Sequence, residues 1–266
     1  GKQLSYNNLL DFDAALSIVT EFSEPTVIIV KHNNPCGAAS AESLEQAYEL
    51  AINTDPQSSF GGIISFNQEV GRKLAEKITS SFKEGVIAPS FTKEALEVLS
   101  EKENLRVLET GSLEDYERNP TLRSLDKGWL LQETDEVMID ISNCEVVTKR
   151  KPTDKELAGL QFGWKIVKHV KSNAIVFAKQ KRTIGIGAGQ MSRIDSVKIA
   201  TFKSIPNSKD SVMASDAFFP FRDGIDEAAK EGITAVVQPG GSVRDQEVID
   251  AANEHNMAMV FTGMRH

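Results

Sequence analysis

Lysine beside histidine, Lys31-His32, is the pair in this chain best suited to acid–base chemistry. The ammonium is a fixed positive charge, and the imidazole is a base that titrates near neutrality. Four β-branched residues, Val27-Ile28-Ile29-Val30, come immediately before the pair, and Asn33-Asn34-Pro35-Cys36-Gly37 follow it. A strand buried on both faces should not continue into such polar groups, because an unpaired buried charge is costly. The strand is therefore expected to stop at Val30 with its tip opening into a pocket. Asn34-Pro35 would then make the turn, and Gly37 would loosen the backbone before the next helix. A solvated lysine and a hydrogen-bonded histidine at a strand end is the plainer alternative.

Other chemistry-bearing residues are scattered. Ser172-Asn173 abuts an apolar strand expected over 174–178, and the 216–223 stretch joins three phenylalanines to Arg222-Asp223. Glycine-bearing turns occur at Gly61-Gly62, at 185–189 and at Gly240-Gly241, where backbone N–H groups could meet an anion. Such a dispersed set suits transfer of a small group to an amine or hydroxyl, with His32 as base and Lys31 stabilising developing negative charge. The 185–189 run is G-x-G-x-G rather than G-x-G-x-x-G, and no strand precedes Asp210, so a dinucleotide site is rejected. Ala39 stands where the second cysteine of a zinc-deaminase P-C-x-x-C would follow Pro35-Cys36. With well-separated histidines and no H-x-E, zinc is not expected. Neither G-x-S-x-G nor a P-loop occurs.

The positioning elements follow from periodicity. Asp11 is the expected N-cap of a first helix whose stripe is Ala15, Ile18, Val19 and Phe22. Strands are expected over 26–30, 63–66, 85–88, 105–109, 129–131, 137–141, 174–178, 233–238 and 257–261. Helices alternate with them, one opened by the Thr153–Glu156 capping box. This alternation predicts an α/β sheet. The 111–126 stretch is polar and broken by Pro120, and Lys149-Arg150-Lys151-Pro152 looks like a solvated linker. The halves do not repeat one another recognisably in sequence.

The 266 residues allow a sizeable core and two subdomains. A net charge of −8 argues against nucleic-acid or anionic-membrane partners, so a phosphorylated ligand would need a local basic pocket. Two cysteines, Cys36 and Cys144, give no disulfide framework and point to a reducing cytoplasm. No apolar run approaches the ~20 residues of a membrane span. The opening Gly1-Lys2-Gln3, without an initiator methionine, suggests a piece of a longer protein.

Five motifs in one order make a family resemblance. They are Lys31–Gly37, Ser58–Gly62, Ser172-Asn173, Gly185–Arg193 and Ser215–Asp223. Together they resemble the AICAR transformylase domain of the bifunctional purine-biosynthesis enzymes, over essentially the whole chain. The resemblance implies an α/β fold of two cytidine-deaminase-like three-layer subdomains without zinc, here 1–148 and 149–266. It implies formyl transfer from the co-substrate 10-formyltetrahydrofolate to AICAR, giving FAICAR, by a cytoplasmic homodimer with active sites at its interface.

Residue by residue, the resemblance assigns Lys31 and His32 to the catalytic pair and Asn173 to substrate positioning. It places Asn8, Phe218 and Arg265 around the nucleotide, with Arg265 reaching the phosphate. Gln57, Gly61, Ile194 and Asp223 would line the folate side, and Ser172 with Asp216 the region where the family holds a monovalent cation such as potassium. Two departures stand out. An Arg-Tyr-Gly-x-Asn-Pro-His-Gln tract and the cyclohydrolase domain would precede Gly1, and an aromatic-basic tail would follow Arg265. Rival readings are a non-catalytic nucleotide-binding or dimerisation module and a deaminase-like hydrolase.

Overall fold

Strands buried on both faces must sit between layers of helices, and the chain supplies several. The computed structural model describes residues 2–114, 116 and 118–266; Gly1 and, within the polar 111–126 stretch, Asp115 and Glu117 lie outside it. The first half runs α1 (Tyr6–Val19), β1 (Thr26–Lys31), β2 (Asn34–Ser40), α2 (Leu44–Ile52), α3 (Pro56–Ser59), β3 (Ile63–Phe66), α4 (Arg72–Thr79), β4 (Gly85–Ala88), α5 (Lys93–Ser100) and β5 (Arg106–Glu109). An outlying hairpin, β6 (Thr121–Leu125) and β7 (Gly128–Gln132), and the short β8 (Glu145–Val146) follow. The second half runs α6 (Asp154–Val167), β9 (Ile175–Lys179), β10 (Arg182–Gly187), α7 (Arg193–Ser204), β11 (Ser211–Ser215), α8 (Asp223–Lys230), β12 (Ile233–Gln238), α9 (Asp245–Glu254) and β13 (Ala258–Phe261).

Apart from the four-residue α3, the two halves share one order: helix, antiparallel hairpin, then three helix–strand steps. Their strands join in one 11-stranded sheet, β5-β4-β3-β1-β2-β10-β9-β11-β12-β13-β8, so the hairpins meet in the middle and the parallel triplets lie outside. One face of the sheet carries α1 and α6 over a single apolar cluster that includes Phe12, Ile18, Ile28, Trp164, Val176 and Val260. Two clusters fill the other face, one under α2, α4 and α5 and the other under α7, α8 and α9. Glu21, just past α1, is ion-paired with Lys168 at 2.8 Å and hydrogen-bonded to His169 at 3.1 Å, both at the end of α6. Burial opposes the charge, but the bonds from His169 and Lys168 and the charge of Arg118 outweigh it and hold the Glu21 carboxyl far below the usual range, so α1 and α6 are tied by polar contacts as well as by packing.

Several sequence expectations are corrected. Ser5, not Asp11, caps α1, in a reciprocal box with Asn8. The turn after β1 is His32-Asn33, both at positive φ (51° and 62°), and Asn34-Pro35 begins β2. Asparagine tolerates that region readily, and Asp11 secures the turn by accepting from the Asn33 N–H at 2.7 Å. Gly37 lies in β2, where a Cβ would fall 2.1 Å from the Ala51 carbonyl oxygen of α2. The 137–141 stretch is not a strand; a 3₁₀ turn covers Ile141–Asn143. Arg150 is no solvated linker residue, since it grips Glu156 with bonds of 2.8 and 2.9 Å.

Candidate active site at the seam of the two halves

The central hairpins pair poorly where they meet. β2 and β10 share one register pair, Ala39 with Arg182, and Thr183 replaces backbone pairing with side-chain bonds to Ala38 and Thr54. Toward Pro35, which has no N–H to donate, the ladder lapses. A cleft of about 260 Å³ opens there, walled by Lys31, His32, Pro35 and Cys36 on one side and by Ile186, Ala188, Gln190 and Lys203 on the other. Pressing α7 against β10 requires glycine: a Cβ on Gly185 would lie 2.2 Å from the Ala200 carbonyl oxygen, and one on Gly187 1.9 Å from that of Ser196. The G-x-G-x-G run thus serves helix packing.

Lys31 ends β1 and donates from Nζ to the Phe60 carbonyl at 2.7 Å. Phe60 closes α3, whose N-cap is Asp55. The Asp55 carboxylate accepts from the Ser58 N–H at 3.0 Å and the Ser58 hydroxyl at 2.6 Å, and is ion-paired with Lys203 of α7. Burial favours its neutral form, but these bonds outweigh burial and hold the carboxyl below its ordinary range. Cys36 faces the same cleft as a thiol, pushed up to about 12 by burial and the Asp55 charge. It is no thiolate nucleophile.

A second polar cluster lies across the cleft. Asn173 donates from Nδ2 to the carbonyls of Gln190 at 2.8 Å and Met191 at 3.2 Å, and accepts on Oδ1 from Arg193 at 2.8 Å. Arg193 also binds Ser215 at 2.8 Å and pairs with Asp216, all three buried. Asp216 further accepts from the Ala174 N–H at 3.0 Å and from the Ser172 hydroxyl. The two clusters touch twice, because Gln190 lines the cleft while bonding Asn173, and Asn34 Oδ1 accepts from the Lys171 N–H at 2.9 Å.

Residues 1–203 match the family model described as AICARFT/IMPCHase bienzyme. The chain belongs to this family. Its relatives include the bifunctional purine biosynthesis protein PurH of Caldicellulosiruptor saccharolyticus, 51% identical over all 266 residues, and that of Caldicellulosiruptor bescii, 52% identical over the same length. The chain covers 52% of each, so it spans about half the length of these curated relatives.

For a chain of the AICARFT/IMPCHase family, the expected site residues are only partly brought together. Lys31 and His32 line the cleft, and Gly61, at φ +66°, packs beside Lys31, where a Cβ would come 3.1 Å from Nζ. Gln57 stands exposed on α3. Asn173, Ser172 and Asp216 form the hub around Arg193, and the Asp216 carbonyl accepts from the His266 N–H at 3.4 Å. Close by, the Arg265 guanidinium lies over the Phe218 ring at 5.3 Å. Ile194 follows Arg193 on α7, and exposed Asp223 opens α8, accepting from the Gly224 N–H at 2.8 Å. Asn8 is not brought to the cleft by any contact described; its side chain accepts from the Ser5 N–H at 3.1 Å within the α1 cap. Sequence reasoning gave no role to Arg193, Asp55 or Lys203, because their partners lie far away in the chain.

Among the described residues, no three His, Cys, Asp or Glu side chains gather as a metal site, and no helix is long and apolar enough to cross a membrane.

Proposed function

We propose that the chain is an AICAR formyltransferase, moving the formyl group of 10-formyltetrahydrofolate to the 5-amino group of AICAR to give FAICAR in IMP biosynthesis. Family membership supports the activity. The structural observation that carries it is the cleft shared by Lys31 and His32, whose opposite wall bonds Asn173 through Gln190. The amine of AICAR is a weak nucleophile, its lone pair delocalised into the imidazole and carboxamide. Its nitrogen attacks the formyl carbon while His32 takes an amine proton, and Lys31 stabilises the carbonyl oxygen as it becomes anionic. Collapse breaks the bond from the formyl carbon to folate N10, which leaves protonated as tetrahydrofolate. Phe218, Arg265 and Asn8 would hold the nucleotide, and Gln57, Gly61, Ile194 and Asp223 the folate.

Potassium beside Ser172 and Asp216 is less well served by this donor set. Both Asp216 carboxylate oxygens already accept from protein donors, including the Arg193 guanidinium. The residues do not fit a cation.

The repeated element order supports reading each half as a cytidine-deaminase-like three-layer subdomain without zinc, divided near 148/149. We also propose a cytoplasmic homodimer, and assign IMP cyclohydrolase activity of the parent protein to a domain outside these residues. Calorimetric titration of the full-length protein with AICAR, paired with a formyl-transfer assay, tests the proposal. Binding with turnover is expected; binding without turnover would leave only a nucleotide-binding module, and tightly held zinc by elemental analysis would favour a hydrolase.

A further inference from the structure

We propose that Asp55 is a positioning residue for Lys31, acting through α3 and locked in place by Lys203 of α7. The inference rests on the formyl-transfer reading, in which the Lys31 ammonium must meet the developing oxyanion. That ammonium is aimed by the Phe60 carbonyl, 2.7 Å away at the end of α3. A single helical turn of four residues cannot hold itself, since helix nucleation is unfavourable without outside support. The support is Asp55. One of its oxygens caps the Ser58 N–H, while the other receives the Ser58 hydroxyl and Lys203.

On the other side, Lys31 meets a wall. A Cβ on Gly61 would lie 3.1 Å from its Nζ and 3.2 Å from the Phe82 ring, so little space separates the lysine from that backbone. Lys203 is itself well anchored. It occupies the last turn of α7, the helix seated against β10 by Gly185 and Gly187. The first residue of the same helix, Arg193, orients Asn173. One rigid helix therefore fixes both sides of the site, Asn173 directly and Lys31 through Asp55 and α3. The Asp55–Lys203 pair is one-third exposed at its Lys203 end, so solvent screens the attraction and its contribution to stability is small. Its effect should appear in turnover rather than in melting.

The test uses the full-length protein, with steady-state formyl transfer and thermal melting measured on D55N, K203M and K203R. D55N keeps a capping oxygen and removes the charge; K203M removes the partner, and K203R preserves it. A displacement of about 1 Å in a catalytic group lowers rates by up to ~10²-fold, so kcat should fall at least ~10-fold in D55N and K203M. The KM for AICAR should stay within about threefold, the melting temperature should hold, and K203R should recover most of the turnover. Turnover in K203M within about twofold of wild type overturns the inference, as does a loss of turnover that only tracks a fall in melting temperature. Should D55N fail to fold, K203M decides alone. A wild-type protein that neither binds AICAR nor transfers formyl overturns the functional reading instead, which keeps the two failures distinct.

Discussion

His32 sits at φ 51° in a two-residue turn, held from below by Asp11 through the Asn33 N–H. The turn presents the imidazole at the cleft mouth, exposed and without a side-chain carboxylate among its described bonds. That suits a base that must reach a substrate amine. His32→Ala should abolish formyl transfer in the full-length enzyme while AICAR affinity, followed by calorimetry, stays within about an order of magnitude. Lys31→Ala should lose at least ~10²-fold in turnover, the scale of one missing oxyanion contact. Near-wild-type rates in either variant would remove that side chain from the chemistry. The Lys-His pair was legible because a β-branched run ending in polar residues is an unusual thing for a core strand to do. Its immediate surroundings were not. Asn34-Pro35 carried the stronger turn signal by composition, yet the turn formed two residues earlier, at His32-Asn33, where Asp11 of α1 supplies a tertiary hydrogen bond. Asp55 and Lys203 pair across 148 residues, a separation that no local pattern reports.

At the scale of elements, α7 is the part on which the site depends most. Gly187→Ala would drive a methyl against the Ser196 carbonyl oxygen, 1.9 Å away, and α7 would have to lift off β10. Overpacking of this kind costs about 1–3 kcal/mol. A lower urea midpoint together with lost turnover is expected, since Arg193 and Lys203 move with the helix; unchanged stability would show that α7 has slack. The start of α6 depends on one carboxylate. Glu156 closes its capping box and binds Arg150, and these bonds outweigh burial to bring its carboxyl from 4.5 down to about 2. A depressed carboxyl stabilises the fold above its unfolded value and loses that contribution as pH falls through its folded value. Glu156→Gln should therefore be less stable than wild type at neutral pH, by about 1–3 kcal/mol. That gap should narrow between pH 4.5 and about 2 in urea titrations. The box at Thr153 was readable because its spacing is local; the Arg150 contact was not, because a Lys-Arg-Lys-Pro run looks solvated until the fold folds it back onto α6. β11 escaped notice for a similar reason: its ends are serines, and Ser215 meets its buried Arg193 donor only once the chain has folded.

For the whole molecule, the family resemblance implied two like subdomains, but the duplicated element order and shared α1–α6 core cannot be read from residue patterns in halves that do not resemble each other. Topology is maintained by burial pattern, and many residue combinations satisfy the same pattern. The β6–β7 hairpin stands outside that core. It forms its own two-stranded sheet with every residue exposed, including Leu122 at 61%, Trp129 at 68% and Leu131 at 72%. An isolated two-stranded ribbon is marginal in water, and contiguous exposed apolar groups mark interaction surfaces. Leu122 pairs with Leu131 and Ser124 with Trp129, so these apolar groups share one face, while Leu125 and Leu130 project from the other. The proposed homodimer gives this ribbon a partner. Replacing Trp129 and Leu131 together by serine should weaken self-association at least ~10-fold by sedimentation velocity, as expected when large apolar anchors are removed from an interface. Transfer activity should then fall with dilution along with the dimer fraction, if each active site is completed by the second copy. Retained self-association in that double variant would move the interface elsewhere. A monomer with full activity would instead show that the cleft between β2 and β10 works within one chain.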